Sequence, residues 1–340
     1  METYDLSKGL PIVTTRQIFF KNMIQETFGF IRGSVHIKDL TKAFWGRWAV
    51  TEDDVNEMAN AIVAEAVKSD PTLTETNRES IRQTMIKDLS TKIGTVGPMY
   101  GATWRRFPRV RLDPPWWLES YADVPSDFRE SIKEDFLREV ALSNGTVVND
   151  QATWERYAFT RYNASGYDQL AMVMKSLKVR PYSSRHRVTA LHPDLVGSEG
   201  SSPQMNALND YGALAPCHSG FQFMVTDNDQ GEKVLNCMMY MSSSDVPVGR
   251  PVNIAQYSIL TMLVAHCLDY KPGLFTIVSC DTHIYADQMA LVPTQLEREP
   301  KPLPRLVINP DQKDLFAMTP ADIQIVDYEH HDRVDYPVAV

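Results

Sequence analysis

The chain has 340 residues, 43% apolar and 23% charged, enough for one large globular core or two ordinary ones. Its formal net charge of −9 and pI near 5.4 argue against a broad nucleic-acid or membrane-surface face, which needs cations. Its four cysteines, Cys217, Cys237, Cys267 and Cys280, lack CxxC zinc spacing and the density of a disulfide scaffold, so no metal site is expected and a reducing compartment fits.

No apolar run approaches a membrane span and Met1–Asp5 carries no basic-then-apolar signal, so the expected location is cytoplasmic. Residues 10–35 are mostly apolar, with Ile18, Phe19, Met23, Ile24, Phe28 and Ile31 on one helical face and Glu26 inside the run. Residues 51–93 predict an acidic helical hairpin. Val55, Met58, Ala59, Ile62, Val63 and Ala66 repeat at three and four residues, Asp70-Pro71 breaks the pattern, and Ile81, Met85, Leu89 and Ile93 resume it. Residues 109–165 read as irregular and aromatic around Pro114-Pro115-Trp116-Trp117, with a second acidic helix over 126–141. Then come a helix over Gln169–Leu177, strands at 188–191, 221–226 and 234–241, a buried helix over Ile254–Leu268 and a strand over Leu274–Val278. Strands and helices intermix without a strict βαβ rhythm. The expected fold is a single α/β (α+β) domain over residues 1–340, a twisted mixed sheet with surrounding helices, carrying inserts at about 51–93 and 109–165.

Polar residues collect in a few otherwise apolar stretches. Ala215-Pro216-Cys217-His218 puts a thiol in a turn at the mouth of a strand. A thiolate is the strongest nucleophile a protein offers near neutral pH, although a lone cysteine is most often a small buried hydrophobe. Glu26 on an apolar helix is costly to bury unless paired, and burial raises a carboxyl pKa toward values useful for proton transfer. Asp245 and Gly249 lie in Ser244-Asp245-Val246-Pro247-Val248-Gly249-Arg250-Pro251-Val252-Asn253, where a turn is the bland reading. His283 and Tyr285, two apart, would share one face of a strand. Tyr100-Gly101 with Trp104-Arg105, Trp45-Gly46-Arg47-Trp48 and the terminal Tyr336-Pro337-Val338-Ala339-Val340 complete the set.

In order and content these stretches resemble the thymidylate synthase family. That family reads Pro-Cys-His at its nucleophile, then Ser-x-Asp…Gly-x-Pro-x-Asn-Ile-Ala, then Asp-x-His-x-Tyr, and ends in Pro-Val-Ala-Val or a close variant. Thr14-Thr15-Arg16, the Glu26 helix and Gly33 fit its N-terminal half, and Gln295-Leu296-Glu297-Arg298-Glu299-Pro300 fits a late run. The likeness covers residues 10–48, 97–108 and 168–340 and skips both inserts.

The resemblance implies a homodimeric transferase acting on a pyrimidine nucleotide with 5,10-methylenetetrahydrofolate. Cys217 would add to C6 of the base, making C5 nucleophilic toward the one-carbon unit. Glu26 would move protons directly or through water, Tyr100 would help extract the C5 proton, and His218 would organise water. Asp245 would bind the pterin beside the reacting centre. Asn253 would read uracil at N3–H and O4, which an amide suits. Ser243 and Gly249 fall in the nucleotide-binding stretch, and His283 and Tyr285 would hold the sugar 3′-hydroxyl. Arg185 would reach the phosphate from the partner subunit. Trp45 and Trp48 would wall the folate site, and Val340 would end the segment that closes over both ligands.

The sequence also departs from that family. Gln-Arg-Ser ahead of the aspartate is here Met241-Ser242-Ser243, and a paired Arg-Arg is Ser184-Arg185. Arginine–phosphate contacts are charge-assisted and often bidentate, so Arg187 and Arg250 become candidates to replace them. Gly29 stands where thymidylate synthases carry a tryptophan, and loss of that indole is expected to leave room for water. With the inserts, these departures favour a deoxyuridylate hydroxymethyltransferase, of a kind known from phages and nucleoside-antibiotic pathways and acting in the host cytoplasm if phage-encoded. Reductive methylation to thymidylate, another pyrimidine substrate and a non-catalytic relative are the alternatives.

Overall fold

The computed structural model describes residues 1–108, 124, 126–142, 149–164 and 166–338. They form two compact units, Met1–Trp104 with Gln169–Val340, and Arg105–Asp168.

The larger unit is built on five strands, β1 (Glu2–Asp5), β2 (Arg187–Thr189), β3 (His218–Asp227), β4 (Lys233–Asp245) and β5 (Lys271–His283), in the spatial order β1-β5-β4-β3-β2. The sheet is mixed: β4 and β5 run parallel and the other pairs antiparallel. Parallel neighbours need a crossover, and the helix Gly249–Cys267 supplies it. Burial alternates along the strands. Phe221, Phe223 and Val225 of β3, Leu235, Cys237, Met239 and Met241 of β4, and Phe275 and Ile277 of β5 face one core with that helix. A helix apolar nearly all round belongs inside. Its Ser258 and Thr261 hydroxyls donate to the Ile254 and Tyr257 carbonyls, each at 2.7 Å. On the other face Met224, Met238, Tyr240 and Leu274 stand exposed.

The β3–β4 ladder shifts register between His218 and Gly220, with Ser219 as the extra residue. His218 therefore faces the core opposite Met241, while Phe221 does so opposite Met239.

The helix Phe20–Arg32 buries Met23, Ile24, Glu26, Phe28 and Ile31, and stops where Gly33 turns left-handed at φ 77°. The acidic hairpin is present as Glu52–Ser69 and Glu75–Leu89. Thr51 and Asp54 form a capping box on the first helix, and Thr74 caps the second. Strand β1 and the antiparallel pair of β6 (Arg305–Ile308) with β7 (Ile323–Val326) are only four residues each, too short for alternation to mark them, and pairing makes them strands. β5 is longer than its apolar run, because pairing with β4 carries it on to His283.

In the smaller unit Phe107 and Tyr167 exchange backbone hydrogen bonds at 3.0 and 2.8 Å. The expected helix over 126–141 is two segments, Ser126–Ser131 and Lys133–Leu142, and a further helix, Gln151–Ala164, brings Trp154 and Tyr157 against Phe136. The stretch Pro114-Pro115-Trp116-Trp117 lies outside the described residues. No helix among the described residues is long and apolar enough to cross a membrane.

Candidate active site

Cys217 sits half-buried in the turn entering β3. Its N–H donates to Tyr100 Oη at 3.0 Å, and its carbonyl accepts from Ser242 N–H at 2.8 Å, so the backbone of the thiol is held from two sides. Tyr100 has φ 35°, a left-handed conformation that costs a non-glycine residue on the order of 1 kcal/mol or more. Packing holds it there. Its ring stacks on His218 with centroids 3.8 Å apart and packs against Phe30 and Trp45. The next residue must be glycine, since a Cβ on Gly101 would lie 2.7 Å from the Phe30 Cα and carbonyl oxygen. Burial pushes the Tyr100 phenol well above its ordinary range, and the neighbouring thiol adds to this. Burial also raises the Cys217 thiol, opposed by its Tyr100 contact.

His218 is enclosed, with Nδ1 at 2.7 Å from Tyr257 Oη. Burial pulls its pKa down to about 3, so the ring stacked on Tyr100 is a neutral imidazole.

Glu26 is 6% exposed. Trp45 Nε1 donates to one carboxylate oxygen and Gln256 Nε2 to the other, the latter at 2.5 Å. Burial raises the Glu26 pKa to about 7, against the pull of these two donors. Gln256 Oε1 accepts from Asn253 Nδ2 at 3.3 Å, which joins Asn253 to Glu26. Gln256 carries no motif. Its signal is a polar residue one turn after Asn253 on an apolar helix. Trp45 serves Glu26 as well as lying edge-on to Trp48, with centroids 5.7 Å apart.

Gly249 separates Asp245 from Asn253: a Cβ there would lie 3.9 Å from Asp245 Cβ and 3.8 Å from Asn253 Oδ1. The Asp245 carboxylate accepts from Val248 N–H at 3.2 Å and from Gln288 Nε2 at 3.3 and 3.2 Å. His283 and Tyr285 do not share a strand face as their spacing suggested. β5 ends at His283, and the following turn brings the rings edge to face at 4.7 Å. Asp281 orients the His283 ring through Nδ1 at 3.1 Å. The C-terminal segment crosses the same region. Arg47 donates to the Val338 carbonyl at 2.9 Å, and Arg16 lies over the Tyr336 ring. Val340 lies outside the described residues.

The arginines considered for the phosphate are Arg185, Arg187 and Arg250. Arg185 is exposed, and Arg187 is exposed and donates to Gln222 Oε1 at 3.1 Å. Arg250 is buried and committed elsewhere: it donates to Ser244 and Ser279 Oγ at 2.8 and 2.5 Å and pairs with Glu2 at 3.0 Å. As a replacement phosphate ligand it is therefore set aside. Ser243 is half-buried on β4, and the neighbouring Ser242 hydroxyl meets that of Ser219.

A half-buried thiol, a buried carboxyl near neutrality and an amide tied to that carboxyl fit the motifs read from the sequence. A family model described as thymidylate synthase matches residues 1–340. The chain belongs to the thymidylate synthase family. A thymidylate synthase of Mycoplasma pneumoniae is 28% identical over 342 aligned residues, which cover 99% of this chain and 88% of that protein. As a member of the thymidylate synthase family the chain is a one-carbon transferase.

One expectation fails against this family background. Gly29 opens no space for water. A Cβ there would lie 2.8 Å from Leu40 Cδ2 and 3.0 Å from the Asp39 carbonyl oxygen, so the Ile37–Leu40 segment already fills the position.

Proposed function

We propose that the chain transfers a one-carbon unit to C5 of deoxyuridylate, and that water completes the reaction to give 5-hydroxymethyldeoxyuridylate. The observation that carries the uracil reading is the Asn253–Gln256–Glu26 chain. Gln256 takes a hydrogen from Asn253 Nδ2, so Asn253 keeps its carbonyl oxygen for N3–H and a second amide hydrogen for O4. Cys217 is the nucleophile toward C6. Its backbone is held in place and its thiol is half-buried, which limits the approaches open to a base. Glu26, with a pKa of about 7, is poised to give or take a proton at neutral pH. Tyr100, beside the thiol, acts at the C5 proton, and His283 with Tyr285 holds the sugar.

Asp245 and the Trp48 ring suit a pterin, the carboxylate retaining acceptor capacity beside its Val248 and Gln288 donors. 5,10-Methylenetetrahydrofolate, when bound there, supplies the one-carbon unit.

Serines at 242 and 184, where thymidylate synthases carry arginine, support a specialised product. Reductive methylation to thymidylate is the second reading, favoured by the name of the Mycoplasma pneumoniae relative and by the filled position beside Gly29. One incubation with deoxyuridylate and methylenetetrahydrofolate separates them. Tetrahydrofolate with a hydroxymethyl nucleotide supports hydration, and dihydrofolate with thymidylate overturns it. The exposed apolar face of the sheet (Met224, Met238, Tyr240, Leu274) supports a homodimer packed sheet to sheet. Arg185 would then serve the partner's site. An Arg185→Ala chain mixed with a Cys217→Ser chain should recover activity that neither has alone.

A further inference from the structure

We propose that Gln288 is a positioning residue that couples closure of the C-terminal segment to the setting of the Asp245 carboxylate. The role of Asp245 toward the pterin rests on the function proposed above. The contacts themselves do not.

Gln288 is completely buried, although it lies among exposed neighbours in the turn after β5. A primary amide has two hydrogens and one oxygen, and here all three are used. Nε2 faces both Asp245 oxygens at 3.3 and 3.2 Å and donates to the Pro337 carbonyl at 3.0 Å, while Oε1 accepts from Tyr285 N–H at 3.0 Å. One side chain thus joins the end of β4, the His283–Tyr285 turn and the C-terminal segment. A buried amide that loses one of these partners is left with an unmet hydrogen or oxygen, so each contact bears on the other two.

The segment has other tethers: Arg47 donates to the Val338 carbonyl, Arg16 lies over the Tyr336 ring, and the Tyr336 hydroxyl donates to the Leu291 carbonyl. Arg47 meets backbone of the segment, and Arg16 meets the Tyr336 ring and interacts with Asp245 through its charge. Among the described residues, Gln288 is the side chain hydrogen-bonded to both Pro337 and Asp245. Were the segment to lift, the amide would keep Asp245 but lose an acceptor. Were Asp245 to rotate toward a ligand, the amide would be drawn with it.

Trypsin cleavage after the exposed Arg333, releasing residues 334–340, reads closure without turnover. Gln288→Leu should speed that cleavage about tenfold, the worth of one buried hydrogen bond. Asp245→Ala should speed it too, and the double variant should be no faster than the faster single, because both break one link. In turnover, Gln288→Leu should raise KM for methylenetetrahydrofolate about tenfold while KM for deoxyuridylate holds within about twofold. Gln288→Glu keeps the shape but sets a carboxylate against Asp245. It should exceed Gln288→Leu in both readouts, and it serves alone if the leucine variant does not fold. Unchanged cleavage in the folded variants, or effects of Gln288 and Asp245 that multiply independently, overturns the coupling. A chain that turns over no deoxyuridylate overturns the proposed function and leaves the cleavage result to decide the coupling.

Discussion

Gln256 donates to Glu26 at 2.5 Å, and this contact fixes which way the Gln256 amide points. With Nε2 committed to the carboxylate, Oε1 must face Asn253, and Asn253 must turn its own nitrogen toward it. The charge on Glu26 thereby sets the polarity of Asn253, the residue proposed to read the base. Replacing Gln256 with leucine removes that constraint. We expect KM for the uracil nucleotide to rise about tenfold with a smaller change in folate KM, as measured by steady-state kinetics.

Glu26 titrates at about 7 against an ordinary 4.5. Its folded pKa is raised, so its contribution to stability is complete below 4.5 and is lost as pH rises through 7. Glu26→Gln should match the parent in stability near pH 4.5 and exceed it at pH 8 by on the order of 3 kcal/mol, checked by denaturant melts across that range. The same variant should lose the limb of the kcat/KM profile centred near pH 7.

Gly29→Ala tests the filled position. With Leu40 Cδ2 at 2.8 Å and backbone at 3.0 Å from the new methyl, the variant should lose roughly 1–3 kcal/mol of stability. The product should stay the same, because Gly29 packs on the Ile37–Leu40 segment. A change of product, seen by mass spectrometry, would contradict this packing.

Arg250→Met should act on the fold and spare the nucleotide. It leaves Ser244, Ser279 and Glu2 without their shared donor, at a cost of roughly 1–3 kcal/mol, discounted because the Glu2 carboxylate is half-exposed. Deoxyuridylate affinity by calorimetry should hold, whereas a large loss would restore Arg250 as a phosphate ligand.

Cys217→Ser should abolish turnover while leaving nucleotide binding measurable. Because burial raises the thiol, alkylation of Cys217 by iodoacetamide should reach its half-maximal rate at a higher pH than for an ordinary cysteine. Peptide mass mapping distinguishes it from the other three thiols.

The residues legible in the sequence were those whose chemistry is carried by close neighbours. Cys217 beside His218, and Asp245 four residues before Gly249, stood out because their motifs are local. The helical hairpin was legible for the same reason, since its apolar period and the Asp70-Pro71 break are written within one segment. Gln256 and Gln288 were not legible, because their partners Glu26 and Asp245 are 230 and 43 residues away in the chain. Arg250 was misjudged on the same ground: a sequence shows a cation but not that β1 delivers Glu2 to it. The Gly29 expectation failed because a missing side chain reads as space until Leu40 is seen to occupy it.

The register shift at Ser219 makes this stretch intolerant of length changes in a way no substitution reveals. Sides alternate along a strand, so one residue more or fewer between Pro216 and Phe221 would reverse the parity of everything upstream of it. His218 would swing away from Tyr257, and the Cys217 backbone would leave Tyr100, although every residue type remained present. Single-residue deletions and duplications across 216–220 should thus inactivate uniformly, even where alanine replacements at the same positions are mild. The spacing of this turn is as much a heritable trait of the enzyme as its thiol.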